Sequence, residues 1–386
     1  MRCRFALLPV LLSLLPLSGI AQTPSRALTD PKIVRMATGE WRHDSALGLN
    51  VEAAYLPILY PSSHASNLYQ LRNGDILCLW FSGSWEGSSG VGIVMSRLRA
   101  GNQRWDRTVL IDRHDGFSYQ NPVLFEEPNG VLDLYHSEQE ADAGEANAKT
   151  LHLQSRDNGH TWSQPEVLFG KPGSYVRHPL VVLPNGNWLL PMYIVNSAGI
   201  DKGAENNYSI TQISSNAGKS WKECMMNGSK GKVQPSVVQL APGHLLAFLR
   251  SRANDFIYSS TSSDGCTWTP AIPTKLLNNN ASVQLFRLQN GHLVVAFNNS
   301  NKLRKPLSVA LSEDNGKTWP WVRDVETGRP SFGSEEQKPK VPGREEYSYP
   351  SVMQSRDGKI YVSFTYRRQT IKVVSFEENW LRMGGD

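Results

Sequence analysis

The chain has 386 residues and 40% hydrophobic residues, so it is long enough to form one large domain or two ordinary domains with a sizeable core. Its 40 Lys and Arg residues are nearly balanced by 35 Asp and Glu residues, giving a formal net charge of +5. No dense basic cluster occurs, which excludes the charge pattern of a nucleic-acid-binding protein.

The chain opens with the pattern of an export signal. Arg2 and Arg4 precede an apolar run over residues 5–17, and small residues follow up to Ala21. We predict that residues 1–21 form a secretory signal peptide, because the run is too short to span a membrane. The mature protein should therefore be secreted or periplasmic and should have no membrane span.

A turn containing glycine, followed by alternating apolar residues, recurs six times along the chain. The first copy reads LRNGDILCLWF and the last SRDGKIYVSFTY. Alternation with a period of two predicts strands, and glycine at the turn predicts a tight hairpin. The six hairpin glycines are Gly74, Gly130, Gly186, Gly243, Gly291 and Gly358.

A second pattern, Ser-x-Asp-x-Gly-x-Thr-Trp, lies between these hairpins. Its copies are SRDNGHTW ending at Trp162, SSNAGKSW ending at Trp221, SSDGCTW ending at Trp268 and SEDNGKTW ending at Trp319. The Asp and Thr side chains can bond the backbone of their own turn, and the Trp can fill the space between strands. A catalytic residue would be needed only once, so we predict that these boxes stabilise the fold, with their tryptophans buried far from the functional site.

Together the two patterns define a repeating unit made only of strands and turns. Six such units predict an all-β fold, a six-bladed β-propeller, with seven blades as the alternative. We assign residues 22–34 to an N-terminal linker and 35–386 to the propeller. The last strand, near 371–376, should close the ring by pairing with N-terminal strands, because an open ring would leave two unpaired edges.

Three cysteines remain after the signal peptide: Cys78, Cys224 and Cys266. Their number is odd and their spacings are unrelated, which favours buried free thiols over a disulfide framework. No Cys-x-x-Cys or His-Glu-x-x-His pattern occurs, so we predict no metal site and no cofactor.

The boxes resemble the Asp-boxes, or bacterial neuraminidase repeats, and their spacing resembles the sialidase superfamily of six-bladed propellers. The resemblance covers nearly the whole mature chain. It implies a site with three arginines that hold a substrate carboxylate, a tyrosine nucleophile with an activating glutamate, and an aspartate acid/base.

Three positions of this chain match the family's site. Arg250 follows an apolar strand in LLAFLRSR, as the second family arginine does, and Arg304 precedes a box in LRKPLSVALSEDNGKTW, as the third does. Tyr349, in SYPSVMQSRDGKI, stands where the family has its nucleophile. The resemblance therefore implies that Arg250 and Arg304 bind a carboxylate and that Tyr349 is catalytic.

Three other positions depart from the family's pattern. His64 stands where the first arginine is expected, and Gln234 replaces the activating glutamate. The loop GSWEGSSGVG lacks the aspartate and offers Glu86 as its carboxylate. His64 could act as a base or an acid near neutral pH, and Glu86 could act as the acid. We expect all five of His64, Gln234, Arg250, Arg304 and Tyr349 to converge on the propeller axis from innermost strands.

Additional polar residues lie at strand starts or ends. Arg177 and His178, in RHPLVVLPNG, are predicted to face the central pocket and bind substrate. For His136, Arg367 and Arg368 we favour a role as solvated or backbone-bonded side chains, although either arginine could replace the missing one.

Three functions remain open from the sequence. The first is a sialidase-like exo-glycosidase that releases a terminal acidic sugar from a glycan, although activity on sialic acid itself is not implied. The second is a lyase that acts on uronic acids, with His and Tyr moving protons. The third is a glycan-binding propeller without activity, in which Trp85 and Tyr349 stack on sugars. The partner in each case is an anionic oligosaccharide, and we expect the protein to act as a monomer.

Overall fold

The computed structural model describes residues 29–48, 50–196, 203–328 and 345–383. These residues form six antiparallel sheets, which are the blades of a β-propeller. The prediction of six blades rather than seven is confirmed. Besides the strands, the described part contains two short α-helices, α1 (Pro31–Met36) and α2 (Glu378–Arg382), and two 3-10 turns, Glu145–Asn147 and Ala204–Asn206.

Each blade runs from an innermost strand outward in chain order. In blade 1 the strands are β3 (Ser62–Gln70), β4 (Ile76–Gly83), β5 (Gly92–Leu98) and β6 (Val109–Asp112). In blade 2 they are β7 (Phe117–Glu126), β8 (Leu132–Glu140), β9 (Lys149–Ser155) and β10 (Glu166–Phe169). In blade 3 they are β11 (Ser174–Val176) with β12 (Val181–Val182), β13 (Trp188–Ile194), β14 (Tyr208–Ser214) and β15 (Lys222–Met225).

Blades 4 and 5 follow the same order, whereas blade 6 has two N-terminal strands outside its third strand. In blade 4 the strands are β16 (Lys232–Ala241), β17 (His244–Ser251), β18 (Phe256–Ser262) and β19 (Ile272–Leu277). In blade 5 they are β20 (Gln284–Arg287), β21 (Leu293–Asn298), β22 (Leu307–Ser312) and β23 (Trp321–Glu326). In blade 6 they are β24 (Tyr347–Gln354), β25 (Ile360–Tyr366), β26 (Thr370–Phe376), β2 (Glu52–Tyr55) and β1 (Arg42–His43).

Blade 6 closes the ring with both ends of the described chain. The N-terminal strand β2 pairs antiparallel with β26, with Glu52 opposite Ser375 and Tyr55 opposite Lys372. The predicted closure by the last strand is therefore confirmed. Strand β26 is therefore paired on both sides, with β25 and with β2, and leaves no unpaired edge.

The antiparallel order separates two faces of the propeller. Each innermost strand begins on one face, which we call the site face, and ends at a hairpin glycine on the opposite face. All six hairpin glycines have positive φ, as predicted from the turn pattern. The third strand of a blade runs in the same direction as the first, so the boxes that follow it also lie on this opposite face, which we call the box face.

The boxes fold as the sequence predicts, but their tryptophans are less buried than expected. In the last box, Asp314 accepts hydrogen bonds from the Thr318 backbone N–H (2.9 Å) and the Thr318 hydroxyl (2.6 Å), and Ser312 accepts one from the Gly316 N–H (2.9 Å). Trp268 is buried at 4% exposure, whereas the other three, Trp162, Trp221 and Trp319, are half-buried. The expectation of four buried tryptophans is wrong for these three, because their rings lie at the edge of the groove between neighbouring blades.

Replacing Trp268 with alanine should lower the free energy of unfolding by about 3–5 kcal/mol, as large-to-small changes of a buried ring do. The Trp268 indole N–H also donates to the carbonyl of Gly265 at 2.9 Å, and this bond would be lost. Urea denaturation would measure the change. Trp319→Ala is the matched control and should cost less, and an equal or larger loss in Trp319→Ala would contradict this ranking.

The cysteines differ from the sequence-based expectation. Cys224 and Cys266 form a disulfide, with their Cα atoms 5.0 Å apart, and Cys78 is a buried free thiol. The prediction of free thiols is thus wrong for two of the three. Cys224 lies on β15, the outermost strand of blade 3, and Cys266 lies in the box of blade 4. The disulfide therefore joins two neighbouring blades, and the spacing of the cysteines in the sequence does not show that these parts are in contact.

The predicted signal peptide, residues 1–21, lies outside the described residues, and the boundaries at 22–34 and 35–386 stay predictions. No helix within the described part of the chain has the length and apolar character that crossing a membrane would require.

Candidate active site on the propeller axis

Four blades have a β-bulge in their innermost strand, and each bulge places one residue toward the axis. In blade 6 the register shifts between Ser348 and Ser351, so that Tyr349 and Pro350 lie opposite one residue of β25. Proline suits such a position because it has no N–H to pair in the sheet. The first residue of each bulge has positive φ and stands nine residues before its hairpin glycine. These residues are Ala65, Asn121, Gln234 and Tyr349.

Positive φ is unusual for a residue with a side chain and is most frequent where function requires the conformation. Tyr349 has φ of 54° and is only 7% exposed. Its hydroxyl accepts a hydrogen bond of 2.5 Å from Nη1 of Arg250. Burial alone would raise the pKa of Tyr349, but the charges of Arg250 and Arg304 lower it below its ordinary value.

Arg250 makes four hydrogen bonds in the centre of the site, including the one to Tyr349. Its Nη1 also donates to Oε1 of Gln234 at 3.0 Å, and its Nε and Nη2 donate to Oδ1 of Asn280 at 2.9 and 2.7 Å. Gln234 in turn donates from Nε2 to the hydroxyl of Tyr193 at 3.3 Å. Gln234 therefore positions Arg250, and as an uncharged group it does not oppose a negative charge on Tyr349.

A second ionic cluster lies between blades 5, 6 and 1. The carboxylate of Glu346 accepts hydrogen bonds from Arg304 (2.6 Å) and Arg368 (2.8 Å), and these arginines hold the pKa of the buried Glu346 well below its usual range despite its burial. Arg368 also donates to Glu86 at 2.6 Å. Glu86 lies in the loop between β4 and β5, next to Trp85, which is 40% exposed.

His64 packs against the nucleophile candidate, with ring centroids 4.1 Å apart. Its Nδ1 lies 2.7 Å from the hydroxyl of Thr365, and Nε2 is buried without a partner among the described residues. Burial and the nearby Arg368 lower the pKa of His64 well below its ordinary value, although Glu346 opposes this. His64 is therefore neutral at neutral pH and has no imidazolium proton to donate as an acid.

Arg177 and His178 form a layer beneath the site. Arg177 is 1% exposed and donates from Nη2 to the backbone carbonyls of Tyr349 and Pro350, both at 3.0 Å. His178 is equally buried, with Nε2 3.4 Å from the hydroxyl of Ser282, which also bonds Arg177. Arg177 thus holds the bulge of Tyr349 in place, and neither side chain is exposed where a ligand could reach it.

The five residues expected to converge do so, but not all by the predicted route. His64, Gln234 and Tyr349 lie on innermost strands. Arg250 lies near the end of the second strand of blade 4, and Arg304 lies in the loop before β22. The expectation that each lies on an innermost strand is wrong for these two arginines, because a long side chain reaches the axis from the next strand or loop outward.

Several residues of the site were missed or undervalued. Arg368 was favoured as a solvated or backbone-bonded side chain, yet it joins Glu346 and Glu86. Glu346 and Asn280 were not considered. For Arg368 the available signal was the Arg-Arg turn after a strand, which places it at φ of 60°. No sequence signal pointed to Glu346 or Asn280.

One group of side chains within the described ranges has the spacing of a metal site, and it lies away from the axis. His292, Glu313 and Glu378 offer ligand atoms within 4.8 Å of one another. Arg382 already donates to Glu313 at 2.6 Å and to Glu378 at 2.5 Å. A metal ion would have to displace this guanidinium, so an ion-pair network explains the group.

Comparison with known proteins adds a family and a set of structural relatives. The family model described as BNR repeat-like domain matches residues 74–362. No curated protein matches the chain in sequence.

The similar solved structures include sialidases of low sequence identity. A Hadza microbial sialidase, Hz136, has a TM-score of 0.67 at 15% identity, over 83% of this chain and 66% of its own. The NanB sialidase from Streptococcus pneumoniae has a TM-score of 0.68 at 13% identity, over 83% of this chain and 69% of its own. A protein of unknown function from Dyadobacter fermentans has a TM-score of 0.66 at 16% identity, over 85% of this chain and 98% of its own. At these identities the likeness establishes the fold and leaves the activity open.

Proposed function

The chain belongs to the family of BNR repeat-like domains and has a sialidase-like fold, and from its central site we propose that it is an exo-glycosidase that releases a terminal, carboxylate-bearing sugar from a glycan. The observation that carries the proposal is the hydrogen bond from Arg250 to the Tyr349 hydroxyl, at 2.5 Å, in a site with further arginines.

The charge of the site favours an anionic substrate. The site holds three arginines, Arg250, Arg304 and Arg368, against two carboxylates, Glu346 and Glu86, so positive charge is in excess. Side chains of Arg304 and Arg368 are 27% and 23% exposed, which leaves them accessible to a ligand. Guanidinium groups bind carboxylates through paired, charge-assisted hydrogen bonds.

Tyr349 is suited to be the nucleophile. A tyrosine hydroxyl is weak at its ordinary pKa and becomes reactive when the phenolate is stabilised. Here the stabilisation comes from Arg250 and Arg304, whereas the family's pattern has a glutamate where this chain has Gln234. The Tyr349 phenolate oxygen would bond to the anomeric carbon as an acid protonates the leaving oxygen and the glycosidic bond breaks. Water would then attack the anomeric carbon and give its proton to the conjugate base of that acid, which restores the phenolate and the acid.

Departure of the rest of the glycan requires a proton donor. Glu86 lies at the rim, and its Oε2 accepts a hydrogen bond of 2.6 Å from Arg368. A substrate carboxylate that binds Arg368 would compete for this bond and release Glu86. We therefore propose Glu86 as the acid, in the position where the family has an aspartate in the same loop.

A lyase is the second candidate, and one observation favours it. The neutral His64 ring packs at 4.1 Å against Tyr349, in a site where Gln234 replaces a carboxylate. A lyase needs a neutral base to remove the proton next to a carboxylate that arginines neutralise, and a tyrosine could return a proton to the leaving oxygen. No net addition of water occurs in this reaction, so its product is an unsaturated sugar.

Product analysis separates the two candidates. The protein would be incubated with oligosaccharides that end in a sialic acid, a glucuronic acid or a neutral sugar. We expect release of a saturated acidic monosaccharide and no cleavage of the neutral series. An unsaturated product, seen by its ultraviolet absorbance, would establish the lyase. Binding of acidic glycans without any cleavage would mean that the propeller is a lectin.

A further inference from the structure

A cavity on the box face, between blades 2 and 3, lies far from the axis and has no role in the proposed reaction. Its volume is about 360 Å³, which lies in the range of small-ligand pockets. Side chains from both blades line it, and the polar ones are concentrated on blade 2. The lining side chains of the two blades include Glu127, Asp133, Tyr135, His152, Gln154, Trp188 and Trp221.

The repeats show that one residue of this cavity differs in kind from its equivalents in other blades. The third residue after the hairpin glycine is apolar and buried in four blades, as Leu77, Leu189, Leu246 and Val294. In blade 2 this residue is Asp133. The fold therefore accepts an aliphatic side chain here, and the carboxylate of Asp133 is not required by the architecture.

The leucines at this position pack against the box of the next blade. Leu189 lies 2.5 Å from where a Cβ on Gly265 would be, and Leu246 lies 3.0 Å from that point on Gly316. At the corresponding Gly218 the nearest atoms belong to Trp188, at 3.0 Å, and Asp133 is not among the close contacts. A groove of about 390 Å³ also lies between blades 1 and 2, where Leu77 holds the equivalent position, so the groove between blades 2 and 3 is distinguished by its polar lining rather than by its size.

The polar groups of the cavity are ordered and buried. The side chain of Asp133 is only 2% exposed, and its Oδ1 lies 2.7 Å from Nε2 of His152 and accepts a hydrogen bond from Gln154 at 3.0 Å. The His152 ring stacks on Tyr135 with centroids 5.1 Å apart and planes at 18°. Burying a carboxylate is costly unless it is hydrogen-bonded, and this network meets that condition.

We propose that this cavity is a second binding site, for a neutral sugar unit of a glycan. The carboxylate of Glu127 can accept hydrogen bonds from sugar hydroxyls and Gln154 can donate to them, while the buried carboxylate of Asp133 holds His152 and Gln154 in place. The aromatic rings of Trp188 and Trp221 supply apolar walls for the faces of a pyranose ring. Two cations, Arg156 and Lys219, also line the cavity and balance the two carboxylates, so neither an anion nor a cation is favoured.

The site lies on the face opposite the axis site and would act by holding a glycan without cleaving it. It does not depend on the proposed reaction. A protein with both sites could stay attached to a glycan-rich surface by the neutral sugars while its axis site engages acidic ends.

Saturation-transfer NMR with the full chain tests this proposal. The probes are galactose, mannose, N-acetylglucosamine, lactose and cellobiose, each added alone. We expect at least one to receive saturation from the wild-type protein and from Tyr349→Phe, which alters only the axis site. Asp133→Leu introduces the residue of three other blades and should weaken binding at least tenfold while the far-UV circular dichroism stays unchanged.

Gln154→Leu is the second variant, for the case that Asp133→Leu does not fold, and copies Leu311 of blade 5. It should also weaken binding. The proposal fails if none of the five sugars receives saturation, or if Asp133→Leu and Gln154→Leu bind as tightly as the wild type. It also fails if Tyr349→Phe removes the signal, because the sugar would then bind at the axis.

Discussion

Replacing Tyr349 with phenylalanine should reduce turnover by about a thousandfold or more while leaving substrate binding nearly unchanged. The change removes only the hydroxyl, and the ring that packs on His64 and lies 5.3 Å from the Arg304 guanidinium remains. Steady-state kinetics would measure the rate, and calorimetric titration with a non-cleaved acidic sugar would measure the binding.

Tyr361→Phe is the matched control for this variant. Tyr361 lies on β25 of the same blade, near the box face, so loss of its hydroxyl should leave turnover intact. In the wild type, the rate should rise with pH and level off below pH 10, because the arginines lower the pKa of Tyr349 from its ordinary value of 10.0. Full activity in Tyr349→Phe would exclude the hydroxyl from the reaction and make His64 the leading catalytic residue.

The fold could be predicted because its signals are local and repeated. A hairpin glycine such as Gly130 reports on its own turn, and a box such as that of Asp314 is closed by bonds within eight residues. Each copy therefore tests the interpretation of the others. Ring closure could be predicted from the same pattern, because the last strand needs a partner and the segment before blade 1 can supply one.

The site could be predicted only in part, because its contacts join residues that are far apart in sequence. Tyr349 was found because it matches a family motif, and Gln234 was found because it stands where the family has its activating glutamate. Glu346 was missed because its role depends on contacts with Arg304 of blade 5 and Arg368 of blade 6. A sequence pattern does not show which residues of different strands are in contact. The disulfide escaped prediction for the same reason.

A buried ionic cluster lies at ring closure, and its central residue is Lys372. This residue on β26 has a side chain that is 1% exposed and lies 2.9 Å from Glu326 and 3.1 Å from Asp44. Burial would lower the pKa of Lys372, but Glu326, Tyr55 and Asp44 raise it above its ordinary value, so the ammonium stays charged. The three residues of the cluster come from different parts of the fold: Glu326 from the outer strand of blade 5, Lys372 from the third strand of blade 6 and Asp44 from the N-terminal segment.

Lys372→Met should lower the free energy of unfolding by about 3–5 kcal/mol, because it leaves two buried carboxylates without their cation. Tryptophan fluorescence in urea would measure the loss. Lys171→Met is the matched control: Lys171 pairs with Glu223 at a site where its side chain is 44% exposed, so the change should cost at most about 1 kcal/mol. The triple variant Lys372→Met, Glu326→Gln, Asp44→Asn should recover part of the stability, since it removes the charges together. If the triple variant is no more stable than Lys372→Met, the loss comes from packing around the lysine stem and not from uncompensated charge.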